Sequence, residues 1–256
     1  MTTGGVTSGG TTTGGSGSSS GGNSGLGCAG KTYKLCEDFE AGDGTTLPAG
    51  WTRKRGYGAE SPDDQVISTE EFRSGAKALM STSDTKGISR IEKSLASLGA
   101  TATKHWGRVF YKVKVPAGVT PSAYFHVTFV GLFGASENRV VDTVQEPGNT
   151  PGYSMKHQWL YNNPNDQGGK DTAYDWEFDD QWHCAEWFVD VSTKSYRFFH
   201  DAEEVDELAF TGQEAQMSAY TSILVGATHY QDEAVLRPFV MWIDDLAIND
   251  TQVGCQ

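Results

Sequence analysis

Asp244 and Asp245 stand side by side inside an otherwise apolar run, Phe239-Val-Met-Trp-Ile-Asp-Asp-Leu-Ala-Ile248. The flanking residues are β-branched and aromatic, with no internal Gly or Pro, so the run reads as one strand. A half-buried strand must compensate such carboxylates, because an unpaired desolvated carboxylate is costly. Near the other end of the chain, Cys36-Glu-Asp-Phe-Glu40 sets further acids beside an aromatic residue. If the first and last strands pair, these acids converge on a hard cation such as Ca2+. The competing expectation leaves Asp38 and Asp245 facing water on edge strands.

A second set of residues is suited to carbohydrate. His126 lies mid-strand in Ala123–Phe133, Arg139 on the following strand, and Lys156-His-Gln-Trp-Leu-Tyr161 and His229-Tyr230 on two more. Alternation predicts Phe125, Val127, Phe129 and Phe133 on a core face, with His126, Thr128, Val130 and Leu132 opposite. The same reasoning groups Arg139 with Thr143 and Gln145. Lys156, Gln158, Trp159, Tyr161 and His229 would then complete a sugar-binding floor. Aromatic faces stack on pyranose rings there, while polar groups hold hydroxyls or a carboxylate. Taken singly, each of these residues also fits a satisfied structural role.

Several enzyme templates are missing: the G-x-S-x-G elbow, the H-E-x-x-H zinc helix and the Walker loop. Glycoside hydrolysis has candidate acids in Glu137, Asp142, Glu177 and Glu186. It needs carboxyl separations of roughly 5–10 Å, which a sequence leaves open.

The elements that must position these groups are strands. Short apolar or alternating runs, punctuated by Gly, Pro, Asn and Asp, predict strands at 33–40, 65–70, 76–82, 87–94, 105–114, 123–133, 138–145, 154–161, 184–191, 195–200, 206–210, 221–231 and 238–248. Residues 213–220 could form a helical turn or two. Strands of this number with distant ends meeting predict an all-β, two-sheet antiparallel sandwich of jelly-roll type. One sheet then offers its outer face to a ligand.

Residues 1–27 are almost wholly Gly, Thr and Ser. Such a segment cannot bury enough surface to order itself, so residues 1–29 are expected to be a disordered linker and 30–256 a single domain. The segment has neither the basic nor the apolar region of a signal peptide. No apolar run reaches the roughly 18 residues of a membrane helix. A net charge of −13 argues against nucleic acid as a partner, since Lys and Arg must neutralise phosphates. Four cysteines without C-x-x-C spacing favour disulfides and a secreted, oxidised protein. Three pairings are possible, and Cys255 joined to Cys28 or Cys36 is expected because it closes the chain ends. A monomer is expected.

The set Glu37-Asp-Phe-Glu-Ala-Gly42, Arg73-Ser-Gly-Ala-Lys-Ala-Leu79, His126-Val-Thr-Phe129, Trp242-Ile-Asp-Asp-Leu246 and Val253-Gly-Cys255 resembles a secreted jelly-roll family of cellulolytic fungi, co-induced with cellulases. Glucuronan lyases are its enzymatic relatives, with alginate lyases more distant. The resemblance implies Ca2+ held by Glu40, Ser74, Lys77 and Asp244, with Ser74 and Lys77 acting through loop oxygens. It also implies a cleft containing His126, Arg139, Tyr161 and Tyr230. In a polysaccharide lyase, Arg139 would neutralise the uronate carboxylate, His126 would take the C5 proton, and Tyr230 would serve the leaving oxygen. Arg90-Ile-Glu92 faintly echoes an alginate-lyase strand. Tyr124 stands where those enzymes carry Gln, so Gln158 would have to replace it. The non-catalytic alternative is a carbohydrate-binding module or accessory protein.

Overall fold

The computed structural model describes residues 1, 27–54, 64–83, 87–114, 125–145, 155–163, 166–171, 176, 178–212, 216–230 and 238–256. Residues 2–26 of the predicted linker, Tyr124 and Glu177 lie outside the described residues. The strands are β1 (Leu35–Glu37), β2 (Trp51–Lys54), β3 (Gln65–Ser68), β4 (Ala78–Ser83), β5 (Gly87–Ser94), β6 (Lys104–Val113), β7 (Phe125–Phe133) and β8 (Glu137–Gln145). They continue with β9 (Met155–Asn163), β10 (Asp166–Asp171), β11 (Trp182–Asp190), β12 (Ser195–His200), β13 (Glu203–Glu204), β14 (Ser222–His229) and β15 (Phe239–Asn249).

Two antiparallel sheets pack face to face, as the strand pattern predicts. The eight-stranded sheet runs β13-β12-β11-β6-β15-β4-β3, with β1 also paired to β15. The seven-stranded sheet runs β10-β9-β8-β7-β14-β5-β2. Alternation sends Val109, Tyr111 and Val113 of β6, Tyr196 and Phe198 of β12, and Val127 and Phe129 of β7 into one shared core. Trp187 of β11 lies fully buried over Gly107 of β6, where any Cβ would stand 2.1 Å from the indole. Beside it His105 is 0 % exposed. Its Nδ1 lies 3.0 Å from the Thr101 carbonyl, and its Nε2 accepts from Trp187 Nε1 at 3.2 Å.

The first and last strands do pair, Cys36 opposite Ala247 and Glu37 opposite Leu246. Other expectations need correction. The predicted strand at 206–210 is a short 3-10 turn, Asp206–Leu208, followed by one bridge between Phe210 and Tyr196. The predicted helical turn is absent from 216–220, and residues 213–215 lie outside the described residues. β10, Asp-Gln-Gly-Gly-Lys-Asp, carries no apolar pattern and forms through backbone pairing to β9.

The disulfides join Cys28 to Cys36 and Cys184 to Cys255. Pairing of β1 with β15 brings the chain ends together without a bond between them. Beyond β15 the tail crosses the eight-stranded sheet, where Glu186 of β11 accepts from the backbone N–H groups of Val253 and Gly254 at 3.0 and 2.7 Å. That clamp delivers Cys255 to Cys184. No helix among the described residues is long and apolar enough to cross a membrane.

β-Bulges reset the alternation where it matters most. Register shifts between Thr128 and Gly131 of β7, and between Arg139 and Asp142 of β8, change which residues face out. Val130 and Leu132 therefore join the core, contrary to the strict period-2 reading. Phe133 instead leaves it, lying under Lys54 and Arg90 on the outer face.

Candidate functional site

The outer face of the seven-stranded sheet carries a continuous polar network across β5, β7, β8, β9 and the end of β14. Arg90 of β5 pairs with Glu137 of β8 at 2.8 Å, and Arg139 donates from Nε to the other oxygen of Glu137 at 3.4 Å. The Arg139 guanidinium sits 4.4 Å from the centre of the Tyr230 ring. Tyr230 in turn lies 4.4 Å from the His126 ring, tilted by 30°. A backbone bond from Tyr230 N to the His126 carbonyl, 3.2 Å long, fixes this pairing.

Asp142 anchors the other half. His126 Nε2 lies 2.8 Å from Asp142 Oδ2, and Thr128 donates to Asp142 Oδ1. The Tyr230 hydroxyl lies 3.2 Å from that same Thr128 oxygen. Gln158 donates its amide to Asp142 and stands 3.1 Å from His126 Nε2. The bulge in β8 is what allows Arg139 and Asp142, three residues apart, to share a face. Without it one of them would point into the core.

Within this network the charges balance, Arg90 and Arg139 against Glu137 and Asp142. Arg139 is deeply buried, which favours its neutral form, yet Tyr230, Asp142 and Glu137 outweigh this and raise its pKa. Its Nη1 has no hydrogen-bond partner among the described residues. A buried cationic donor without an acceptor is costly, and a bound carboxylate would satisfy it. Burial chiefly raises the Tyr230 phenol above its usual range, with Glu137 adding and Arg139 subtracting. That phenol is a proton donor at neutral pH. A shallow pocket lined by Phe133, Ser136, Glu137, Asn162 and Asn163 adjoins the network.

Of the residues expected here, His126, Arg139, Tyr230 and Gln158 come together, and Lys156 lies half-buried on β9 two residues before Gln158. Trp159 does not join them. It is 2 % exposed and packs against Tyr196 and Phe210 in the core, because odd-numbered residues of β9 point inward. Tyr161 shares that inward face and donates to Asp166 at 3.0 Å. His229 is likewise buried, 6.3 Å from the Phe239 ring. Thr143, grouped with Arg139 by alternation, donates to the Val127 carbonyl instead. Glu137 and Asp142 were visible only as generic acids, and their roles here depend on the bulges. Arg90 was signalled by the Arg90-Ile-Glu92 pattern.

The carboxylates of the end strands form a separate cluster. Asp244 and Asp245 are both 0 % exposed. Asp244 accepts from the backbone of Arg73 at 2.8 Å and of Ser74 at 3.1 Å, and Ser74 Oγ donates to Asp245 at 2.7 Å. Glu40 accepts from Ala76 N at 2.7 Å and Lys77 N at 2.9 Å on the same loop. The Lys77 ammonium donates to the Gly42 carbonyl at 2.8 Å. Asp38 reaches the cluster at Gly27, where a Cβ would lie 3.7 Å from both Asp38 Oδ2 and Asp245 Oδ1. The expectation of a solvent-facing Asp245 is therefore wrong.

Among the described residues these acids are only partly compensated. Burial, then the neighbouring Asp245, pushes Asp244 up to about 8. Asp245 is raised by burial too, with Asp38 adding to it, and its Oδ2 has no hydrogen-bond partner among the described residues. Phe39, two residues past β1, and Asp245, within β15, both hold positive φ, 57° and 49°, a strained backbone on either side of the cluster. An orphaned buried oxygen amid several carboxylates fits a hard divalent cation.

No family model matches the chain, and no curated protein matches it in sequence. Solved structures do match. Cellulose induced protein Cip1 is 13% identical with a TM-score of 0.54, covering 87% of this chain and 100% of its own. A beta-1,3-glucanase from Mycobacterium marinum is 13% identical with a TM-score of 0.54, covering 86% and 99%. The T. cruzi calreticulin globular domain is 13% identical with a TM-score of 0.51, covering 86% and 88%. At these identities the likeness establishes the shared fold.

Proposed function

We propose that this domain is a secreted carbohydrate-active protein, and that its outer-face site cleaves a uronate-containing polysaccharide by β-elimination. The observation that carries this reading is the stack of Arg139, Tyr230 and His126, in which Arg139 Nη1, without a hydrogen-bond partner among the described residues, lies beside a phenol and an imidazole. Both disulfides suit an oxidising compartment. The names of Cip1 and the glucanase give a carbohydrate context for the same fold.

Arg139 Nη1 binds the uronate carboxylate and lowers the cost of negative charge developing at C5. His126 gives its Nε2 hydrogen to Asp142, so Nδ1 is the basic nitrogen of the neutral ring and takes the C5 proton. The electron pair from C5–H forms the C4–C5 double bond as the C4–O bond breaks. Tyr230, held protonated by burial, gives its proton to the leaving oxygen. Thr128 and Asp142 link the phenol to the imidazole, a path by which the enzyme returns the proton from His126 to Tyr230.

Hydrolysis is less well served. Glu137 is engaged by two arginines and Asp142 by Thr128, His126 and Gln158. Glu186 lies on the other sheet, holding the C-terminal tail. Among the described candidate acids, none is placed as a carboxylic acid facing a glycosidic oxygen.

In the same reading Asp38, Asp244 and Asp245, with Glu40 and the 74–77 loop, hold a structural Ca2+. Bound there, it would supply fixed positive charge to the buried acids where the first and last strands meet.

The test is a panel of polyuronates and neutral glucans in the presence of Ca2+, followed by ultraviolet absorbance, reducing ends and retention on insoluble polymer. The expected product is an unsaturated uronate. His126→Ala and Tyr230→Phe should each lower turnover by roughly 10²–10⁴ with the fold intact. Arg139→Ala should weaken both binding and rate. Retention without any cleavage would replace this reading with a binding module, and reducing ends without absorbance with a hydrolase.

A further inference from the structure

Three of the six histidines converge between the sheets, on the inward side of β9 and away from the outer-face network. His157 comes from β9, His183 from β11 and His200 from the end of β12. The His183 and His200 rings are 5.1 Å apart, and His157 lies 4.9 Å from His200. Asp201 follows His200 in the turn. We propose that His183, His200 and Asp201 form a binding site for a divalent first-row transition metal ion, distinct from the carboxylate cluster of the end strands.

The three donor atoms lie within 4.8 Å of one another. Asp201 Oδ2 is 2.7 Å from His183 Nδ1 and 3.7 Å from His200 Nε2. Metal–ligand bonds of about 2.0–2.1 Å at tetrahedral angles put neighbouring donors roughly 3.3 Å apart, between these two values. An entering ion displaces the proton now shared by His183 and Asp201 to solvent, and the donors, within 4.8 Å of one another, draw in by up to about 1.5 Å. The Tyr111 hydroxyl lies 3.1 Å from His200 Nε2, so the ion also takes the place of that hydrogen bond.

The surroundings orient the donors as metal sites do. His183 Nε2 meets Asp179 at 2.9 Å, the outer carboxylate that fixes the ring and leaves Nδ1 as the ligating nitrogen. Asp201 Oδ1 is occupied by the backbone N–H of Cys184 at 2.7 Å, which aims Oδ2 at the imidazoles. The turn that presents it is strained: Asp201 and Ala202 hold φ of 49° and 73°, and Ala202 lacks the glycine that such a conformation favours. The side chains of Asp179 and Asp201 are about half exposed, which gives the ion a way in. Two imidazoles with one carboxylate favour zinc, cobalt, nickel or iron over calcium or magnesium.

The test uses the full chain, stripped by chelator and returned to excess Ca2+ so that hard-ion sites are filled. Co2+ is then titrated and its visible ligand-field bands recorded. The expected result is one Co2+ per chain with tetrahedral bands, displaced by Zn2+. Asp179→Asn should weaken Co2+ affinity 10–100-fold while keeping the bands. The pair His183→Gln and His200→Gln should abolish them, with circular dichroism reporting whether the fold survives. Wild-type protein without these bands at saturating Co2+ would overturn the proposal whatever the variants do. Bands that persist in the double variant would equally overturn it, as adventitious binding elsewhere.

Discussion

His105 should make the domain lose stability in mild acid, by an amount that follows from its surroundings. Burial, partly opposed by the Thr101 carbonyl, lowers its pKa to about 4. Its Nδ1 hydrogen goes to that carbonyl and its Nε2 lone pair takes the Trp187 N–H, so the neutral tautomer is fully used. A second ring proton would face another donor. The folded pKa lies below the unfolded one, so the stabilisation is complete above about pH 6.5 and is lost as pH falls towards 4. Between pH 7 and pH 5 the loss amounts to about 2 kcal/mol. Urea unfolding of wild type and His105→Gln at both pH values isolates it from the other buried histidines. The variant should be less stable at pH 7, because Trp187 loses a good acceptor, at a cost of about 1–3 kcal/mol. At pH 5 the gap should shrink by about 2 kcal/mol or reverse. Wild-type and variant stabilities that fall in parallel over this range would refute the argument.

Three further outcomes are expected. Chelation of Ca2+-loaded protein should lower the melting temperature, the bound ion contributing about 2.7 kcal/mol at one hundred times its Kd; Asp245→Asn should remove this sensitivity, and identical melting with and without chelator would rule the ion out. Mapping without reduction should recover the pairs Cys28–Cys36 and Cys184–Cys255. Loop entropy makes the second, with a separation of 71 residues, worth about 4 kcal/mol and the first, with a separation of 8, closer to ~2.6 kcal/mol, an order that denaturation of the paired Ser variants can reverse. Trp159→Ala should destabilise by about 3–5 kcal/mol as a core deletion, and a stable variant that had lost polysaccharide retention would place the indole outside instead.

The sandwich was legible because most strands carry either clear alternation or a long apolar run. Adjacent Asp244 and Asp245 in such a run demanded compensation, and pairing of the end strands supplied the place for it. The outer-face site was legible only in part. His126, Arg139 and Tyr230 stand out as polar groups on apolar strands, but Asp142 is offset from Arg139 by an odd spacing. Only a bulge puts them on one face, and no residue type announces that bulge. On β9 both faces bear rings or polar groups, so alternation alone could not say whether Gln158 or Trp159 looks outward. The histidine cluster is hidden for another reason. It assembles from three strands in two sheets, and no spacing along the chain encodes that meeting.

The disulfide between Cys28 and Cys36 also determines how the domain would meet a pulling force. Tension applied to the chain upstream of Cys28 bypasses the intervening loop and enters the sandwich directly at Cys36, because the bond spans a sequence separation of 8. There it bears on β1, whose three residues are paired only with β15. At the far end the bond from Cys255 to Cys184 ties the tail to β11 and keeps β15 from being stripped from its own terminus. The mechanical weak point is thus the short seam between β1 and β15, beside the buried aspartates, and an ion bound there would act as its rivet.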